Sequence, residues 1–295
     1  MRLNPDEYLE IRRSVNRISD LDKFNLPRGV LHSILIQKKV ESVKRKYRIF
    51  AEKSDEILKY WKEKGSFPKW LTLTPVMKIR ILLKAMGLST KEIWKALRNP
   101  DILDAGLREM VYRAVSTDFV YSPIATKIQL VFGQIGEEII EEKLRTLGVK
   151  FKKEKELKMQ KTPDFLLEEP LEFCGRKVVW IESKAIFADY RTYEIYFKKQ
   201  FKRYLELFGE GIAIFWRGCL EGLDVSDGCE FNGELKRKLL EMEVRIRRDK
   251  ELEGNPIDIA EKFVESYADQ DIFPYNAEVV RILKNMGFLV KQEDL

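Results

Sequence analysis

Histidine is almost absent from this chain of 295 residues: it occurs once, as His32. That excludes zinc hydrolases built on several His ligands, and with them nucleases that work through paired histidines. A Ser-His-Asp site would have to use His32, which has no nucleophile motif near it. His32 lies in GVLHSILI, an apolar stretch at helical spacing, where a structural histidine is expected. Cysteine is also scarce. Cys174, Cys219 and Cys229 form no CxxC pair and are odd in number, which argues against a disulfide framework or zinc site and for a reducing compartment. No apolar run approaches the roughly 18 residues of a membrane span. The opening MRLNPDEYLEIRRS lacks the apolar core of a signal peptide. A cytoplasmic protein without membrane contact is expected. No internal repeat and no low-complexity segment is evident.

Charge, by contrast, is plentiful. Charged residues make up 35% of the chain and hydrophobic ones 44%, with a net charge of +6. A mixture rich in Lys, Arg, Glu, Ile and Leu is common in heat-adapted proteins. The charge is unevenly spread. Residues 1–120 hold 25 Lys and Arg against 15 Asp and Glu, and the rest hold 29 against 33. A phosphate-rich partner for the first part follows from this excess. A solvated, Lys-rich helical surface is the alternative. The length allows two domains, each with a real core.

Residues 1–120 read as helices. Val30, Leu31, Ile34 and Leu35 recur at helical spacing after Pro27 and Gly29, and the stretch runs on into the basic KKVESVKRKYR. DEILKYWKEKG is a second amphipathic helix stopping near Gly65, and PKWLTLTP a linker. The sharpest local signal is TPVMKIRILLKAMGLSTKEIWKALRNP. A helix to about Met86 is stopped by Gly87. Ser89 then caps a second helix, and Glu92 completes a capping box. Such a pair resembles a helix-turn-helix. On its second helix Lys91, Lys95 and Arg98 share a face opposite Ile93 and Leu97, as a nucleic-acid-facing helix would. An ordinary hairpin with a solvated basic face looks the same.

From Lys127 the pattern changes. IQLVFGQIGEEIIEEKLRTLG is a long helix ending at Gly148. VKFKKEKEL and TPDFLL read as strands, Cys174-Gly175-Arg176 as a turn, and KVVWIESKA as a covered strand. TYEIYFKKQFKRYLELFG is a helix closed by Gly209, and GIAIFWRG a buried strand. This order predicts an α/β fold with one mixed sheet flanked by helices. The tail from Asn232 reads as helical. The expected domains are a basic helical, nucleic-acid-binding region over 1–120, a core over 121–230 and a C-terminal helical extension over 231–295.

Glu182 and Lys184 are two apart on the strand VVWIESK and so point to one face. Charges at the end of a covered strand are costly unless paired or metal-bound. Asp164 enters its own strand after Pro163. If the two strands pair, Asp164 and Glu182 converge on one cation, with the Ser183 carbonyl as a further ligand. A hard divalent ion prefers such oxygens and activates water for phosphodiester cleavage. Lys184 would orient or deprotonate that water, or stabilise the pentavalent phosphorus. As a pattern alone, P-D followed by E-x-K is weak in a chain so rich in Glu and Lys; an ordinary Glu–Lys pair on a strand is the alternative. Gly133-x-x-x-Glu137 on the preceding helix, Gln200-x-x-x-Tyr204 on the following one and the element order favour the chemical reading.

The segments TPDFLL, VVWIESKA and QFKRYLELFG…GIAIFWRG resemble the TPD-motif branch of the PD-(D/E)xK nucleases, which has animal and archaeal members. The resemblance is clearest over residues 122–230. It implies a restriction-endonuclease-like mixed sheet, preceded by helix-turn-helix-like segments over residues 25–115. It implies Asp164 and Glu182 as metal ligands and Lys184 as the catalytic lysine. Glu137 resembles the extra acidic residue that reaches the metal directly or through water, with Glu138 and Glu141 as neighbouring candidates. Gln200 and Tyr204 resemble a QxxxY element that supports the core and the substrate; helix packing is the alternative for both. Lys198, Lys199, Lys202 and Arg203 surround Gln200 and are candidates for phosphate contacts, or the solvated face of a packed helix. Trp180 and Trp216 are expected in the core.

The expectation is therefore a Mg²⁺-dependent nuclease, with Mn²⁺ as the second candidate cation, acting on DNA rather than RNA. Homodimer formation, common among such nucleases, is left open, and no protein partner can be read. The alternatives are a non-catalytic DNA- or RNA-binding protein, and an interaction scaffold docking through its acidic C-terminal part.

Overall fold

The computed structural model describes residues 1–228 apart from Lys158, together with residues 231, 233–235, 237 and 238. Of the expected extension over 231–295 only these few residues are described; the rest of its helices and Cys229 lie outside the described residues. The chain opens with strand β1 (Arg2–Leu3) and helix α1 (Pro5–Ser14). Helices α2 (Arg28–Ala51), α3 (Ser54–Lys64), α4 (Pro75–Ala85), α5 (Thr90–Arg98), α6 (Ala105–Thr117) and α7 (Pro123–Thr146) follow. Next come strands β2 (Phe151–Lys153), β3 (Phe165–Phe173) and β4 (Arg176–Lys184), helices α8 (Tyr190–Tyr196) and α9 (Lys202–Phe208), and strands β5 (Gly211–Phe215) and β6 (Cys219–Leu220). Among the described residues, 1–34 and 130–238 form one compact unit and 35–129 a second. No helix among the described residues is long and apolar enough to cross a membrane.

The second unit is helical. Val43, Ile57, Leu71, Leu73, Met77 and Ile81 form its core, with Tyr47, Phe50, Phe67 and Tyr121 packed against it. Its boundaries follow local chemistry. Gly65 ends α3 in the left-handed conformation at φ 62, which glycine adopts without steric cost. Ser89 caps α5 and the reciprocal Glu92 bonds complete the capping box. Buried Asp118 accepts from the Val76 amide at the start of α4 and from the amides of Val120 and Tyr121, each at 2.9 Å. Four residues, 86–89, join α4 to α5.

The first unit carries a four-stranded mixed sheet in the order β2-β3-β4-β5. β2, β3 and β4 are antiparallel neighbours, and β5 is parallel to β4. The β3–β4 hairpin turns at Cys174 and Gly175, with φ of 51 and 71. β3 is longer than the apolar TPDFLL suggests. It continues through Glu168, Glu169 and Pro170 because the register shifts between Leu166 and Leu171; a bulge tolerates a proline that cannot donate to the ladder. β2 is shorter than expected, since residues 154–156 turn into a 3₁₀ helix. The helix between β4 and β5 is broken by a π-helical turn, Phe197–Phe201.

The first residues belong with this sheet. β1 pairs in parallel with β6. Tyr8 on α1 stacks on Phe187 at 5.7 Å and donates to Asp189 at 2.5 Å. His32 is buried; desolvation, reinforced by the Arg217 and Arg28 charges, pushes its pKa down to about 3. It is a neutral core group, as its apolar setting predicts.

Candidate functional site

Two strand ends bring the acidic groups together. Phe165 on β3 pairs with Ile181 on β4 in antiparallel register, so the next position outward sets Asp164 beside Glu182. The backbone locks them in place. The Asp164 amide donates to Glu182 Oε2 at 3.1 Å, and the Ser183 amide donates to Asp164 Oδ2 at 2.7 Å. Strand alternation puts Lys184 on the Glu182 face, and its amine binds Glu182 Oε1. That amine also lies 5.3 Å over the Tyr196 ring. The Ser183 hydroxyl accepts from the Trp216 indole at 2.8 Å.

The helix after β4 fastens the other side. Tyr204, fully buried, donates to the Thr162 carbonyl at 2.8 Å, and so anchors the Thr162-Pro163-Asp164 segment. Trp180 meets Tyr204 edge-on at 5.3 Å and stacks on Phe201 at 6.1 Å. Its indole nitrogen donates to the Gly209 carbonyl at 2.9 Å. Trp180 and Trp216 are thus both core residues. Gln200, inside the π turn, keeps a buried Oε1 without a hydrogen-bond partner among the described residues.

Glu137 on α7 and Asp164 line one cavity of about 650 Å³, with Lys150, Lys153 and Glu154 also in its wall. Of the neighbouring glutamates, Glu141 is bound to Arg145 at 2.6 Å and Lys153 at 2.7 Å, and Glu138 pairs with Lys238 at 3.4 Å. Glu137 is the one that feels the Asp164 charge. The sequence does not single out Lys150, Lys153 and Glu154 in the cavity wall or Tyr196 beneath the Lys184 amine. Their places come from a tertiary approach that has no local pattern; Thr162, directly ahead of Pro163 and Asp164, was in plain sight.

The electrostatics are unbalanced. Burial, then the Asp164 charge, push the Glu182 carboxyl up to about 7, against the opposing pull of Lys184. Burial also raises Asp164, and burial followed by Asp164 raises Glu137. Desolvation alone would lower the Lys184 amine, but the charges of Glu182 and Asp164 outweigh it and hold it above its usual value. Two clasped, desolvated carboxylates facing one ammonium form an oxygen-donor pair with more negative charge than its surroundings neutralise. Among the described residues no three His, Cys, Asp or Glu side chains gather into a metal-holding group. A pair still suits Mg²⁺, which keeps several waters and takes one or two carboxylates plus phosphate oxygens.

Among the described residues, the bonds that hold Asp164, Glu182 and Lys184 together involve none of the remaining candidates. Lys198 pairs with Glu194 at 2.5 Å and Lys202 with Glu206 at 3.9 Å, all four exposed; Lys199 is exposed on the same helix. Lys91, Lys95 and Arg98 belong to the helical unit.

The sequence model described as a protein of unknown function with the TPD sequence motif matches residues 103–252. Several curated proteins named CDAN1-interacting nuclease 1 are similar. The one from Danio rerio is 32% identical over 163 residues, 52% of this chain and 54% of that protein. The one from Homo sapiens is 35% identical over 132 residues, 43% of this chain and 47% of that protein. The chain therefore spans about half the length of the curated relatives it matches. No solved structure matches.

Proposed function

The chain belongs to the TPD sequence-motif family, and from that membership and the clasped carboxylates we propose that it is a metal-dependent nuclease of the PD-(D/E)xK type, its sheet serving as a restriction-endonuclease-like scaffold. The reciprocal bonds between Asp164 and the Glu182–Ser183 pair, with Lys184 on Glu182, carry this reading. The name nuclease borne by the relatives supports it.

Asp164, Glu182 and the Ser183 carbonyl would hold Mg²⁺ or Mn²⁺, and Glu137 would reach it through water. Such an ion supplies a water of lowered pKa and positive charge against the phosphate oxygens. Lys184 is held protonated by its two carboxylate neighbours, so it would act as a cation toward the charge building on the phosphate oxygens rather than as a base. Tyr204 keeps Asp164 in position through the Thr162 carbonyl. Gln200, whose buried amide oxygen has no hydrogen-bond partner among the described residues, would support the core from the same helix. Of Lys198, Lys199 and Lys202, Lys199 has no ion pair among the described residues and is the strongest phosphate candidate. The helical unit, with Lys91, Lys95 and Arg98 on the second helix of a helix-turn-helix-like pair, holds the nucleic acid. DNA, rather than RNA, is the nucleic acid we propose.

A cleavage panel of branched, single-stranded and duplex DNA and RNA, with Mg²⁺, Mn²⁺ or EDTA, tests the proposal. Cleavage is expected with either ion and not in EDTA. Glu182→Ala or Lys184→Ala should reduce it by roughly 100-fold or more at unchanged folding, and Glu137→Ala should weaken it. A Lys184→Ala protein that cuts at the wild-type rate overturns the assignment.

A further inference from the structure

We propose that Trp94, braced by Arg80, is a stacking platform for an unpaired nucleobase, so that the helical unit grips single-stranded nucleic acid. The inference rests on the reading of that unit as the nucleic-acid-holding part.

On α5 the buried residues are Ile93, Ala96 and Leu97. At 100° per residue, Lys91, Trp94, Lys95 and Arg98 fall within one arc of about 100° on the opposite side. No acidic residue lies in that arc; Glu92 sits outside it, engaged with Ser89. An indole here is unexpected. Large aromatics are highly buried on average, yet Trp94 is 38% exposed. No aromatic ring stacks on it among the described residues. Its partner is the Arg80 guanidinium from α4, 5.5 Å from the ring centroid. The other exposed tryptophan of this unit, Trp70, is stacked on Phe50 at 6.0 Å and so already has a ring partner.

The surroundings select the occupant. Lys91 and Lys95 make no ion pair among the described residues, and residues 35–129 hold 20 Lys and Arg against 10 Asp and Glu. A protein partner docking on an aromatic anchor favours a centre depleted of charge; an indole with Arg80 on its face and Lys91, Lys95 and Arg98 along one flank of its helix arc is the opposite. A sugar–phosphate backbone matches the cations. The indole needs a flat apolar face beside that backbone. In a duplex the base faces are closed off within the stack. A single strand exposes them, and base–aromatic stacking next to a basic track is how strands are held without sequence preference.

The test uses the whole protein in EDTA, where cleavage is suspended. Affinities are measured for a 2-aminopurine-labelled single strand and for the blunt duplex of the same sequence. Trp94→Ala should weaken single-strand binding roughly tenfold and change duplex binding less than about twofold. Trp94→Phe, which keeps a ring, should stay within about threefold on both. The 2-aminopurine emission should be quenched by wild type and not by Trp94→Ala. Melting curves show whether the fold is kept, and Trp94→Leu, which fills the position without a ring and should show the same selective loss, serves if the alanine variant does not fold. Unchanged single-strand affinity in Trp94→Ala overturns the platform. So does an equal loss on both substrates, or wild-type protein that binds the duplex more tightly than the single strand. Wild-type protein that binds neither nucleic acid overturns the nucleic-acid reading itself. Wild type that binds and cuts, with Trp94→Ala behaving identically, removes only the platform.

Discussion

At Glu182 burial and the Asp164 charge act in the same direction and only Lys184 opposes them, so the carboxyl sits at about 7 instead of the usual 4.5. The folded state therefore binds its proton more tightly than the unfolded chain does. Between those two values stability must fall as pH rises, by about 3 kcal/mol in full. His32 has the opposite sign. Its pKa falls from 6.5 to about 3 on folding, so the stability it contributes is complete above 6.5 and lost as pH drops toward 3. Because both titrate in overlapping windows, the useful quantity is the stability of wild type minus that of Glu182→Gln. In EDTA this difference should decline between about pH 4.5 and 7, and millimolar Mg²⁺ should flatten the decline by binding the ionised form. Urea titrations across that range check it. A difference independent of pH, or one that Mg²⁺ leaves untouched, contradicts the assigned charge state of the pair.

The helix between β4 and β5 has to satisfy two partners that a regular helix cannot. Tyr196, before the π turn, lies under the Lys184 amine, while Phe201 and Tyr204, after its start, pack on Trp180. One extra residue in the Phe197–Phe201 turn reconciles the two registers, and such bulges recur at functional sites. Deleting exposed Lys199 should restore a regular helix and rotate one end by about 100° relative to the other. Either Tyr196 or the Phe201–Tyr204 pair then leaves its place. A stability loss of roughly 3 kcal/mol and a collapse of cleavage are expected; wild-type melting and cutting in that variant would show that the π turn does not set the register. No residue pattern announces this turn, since it is visible only in what the tyrosines touch. The same holds for β1, whose pairing with β6 joins Arg2 to Cys219 across most of the chain, so residues 1–34 looked like part of the basic helical region. Pro170 is likewise accommodated only through a register shift between Leu166 and Leu171. What was legible is local: the glycine stops at Gly65, Gly87 and Gly148, the Ser89–Glu92 box, the apolar run of β4, and the two-residue spacing of Glu182 and Lys184. The Asp164–Glu182 approach stood between these classes, because spacing could suggest it and only strand register could deliver it.

Across the whole molecule charge and candidate chemistry are separated. Residues 35–129 hold 20 Lys and Arg against 10 Asp and Glu, more than the net +6 of the full chain, so the remaining residues are net acidic. The buried carboxylates lie in that acidic remainder, where positive charge is local: Lys184 at the centre, Lys150 and Lys153 in the cavity wall. A molecule so arranged should lose binding and turnover independently. In the double variant Lys91→Ala/Lys95→Ala, two phosphate contacts disappear, so the slope of log K against log salt should become shallower by roughly 2. KM should rise while kcat stays within about twofold, because nothing around Asp164 and Glu182 has changed. Lys184→Ala should do the reverse, keeping the salt slope and losing kcat. Titrations of affinity between 50 and 300 mM salt, paired with initial rates, separate the two. If the double variant instead lowers kcat with its salt slope intact, the basic helices are not the binding surface, and the positive charge that meets the phosphates must be sought around the cavity.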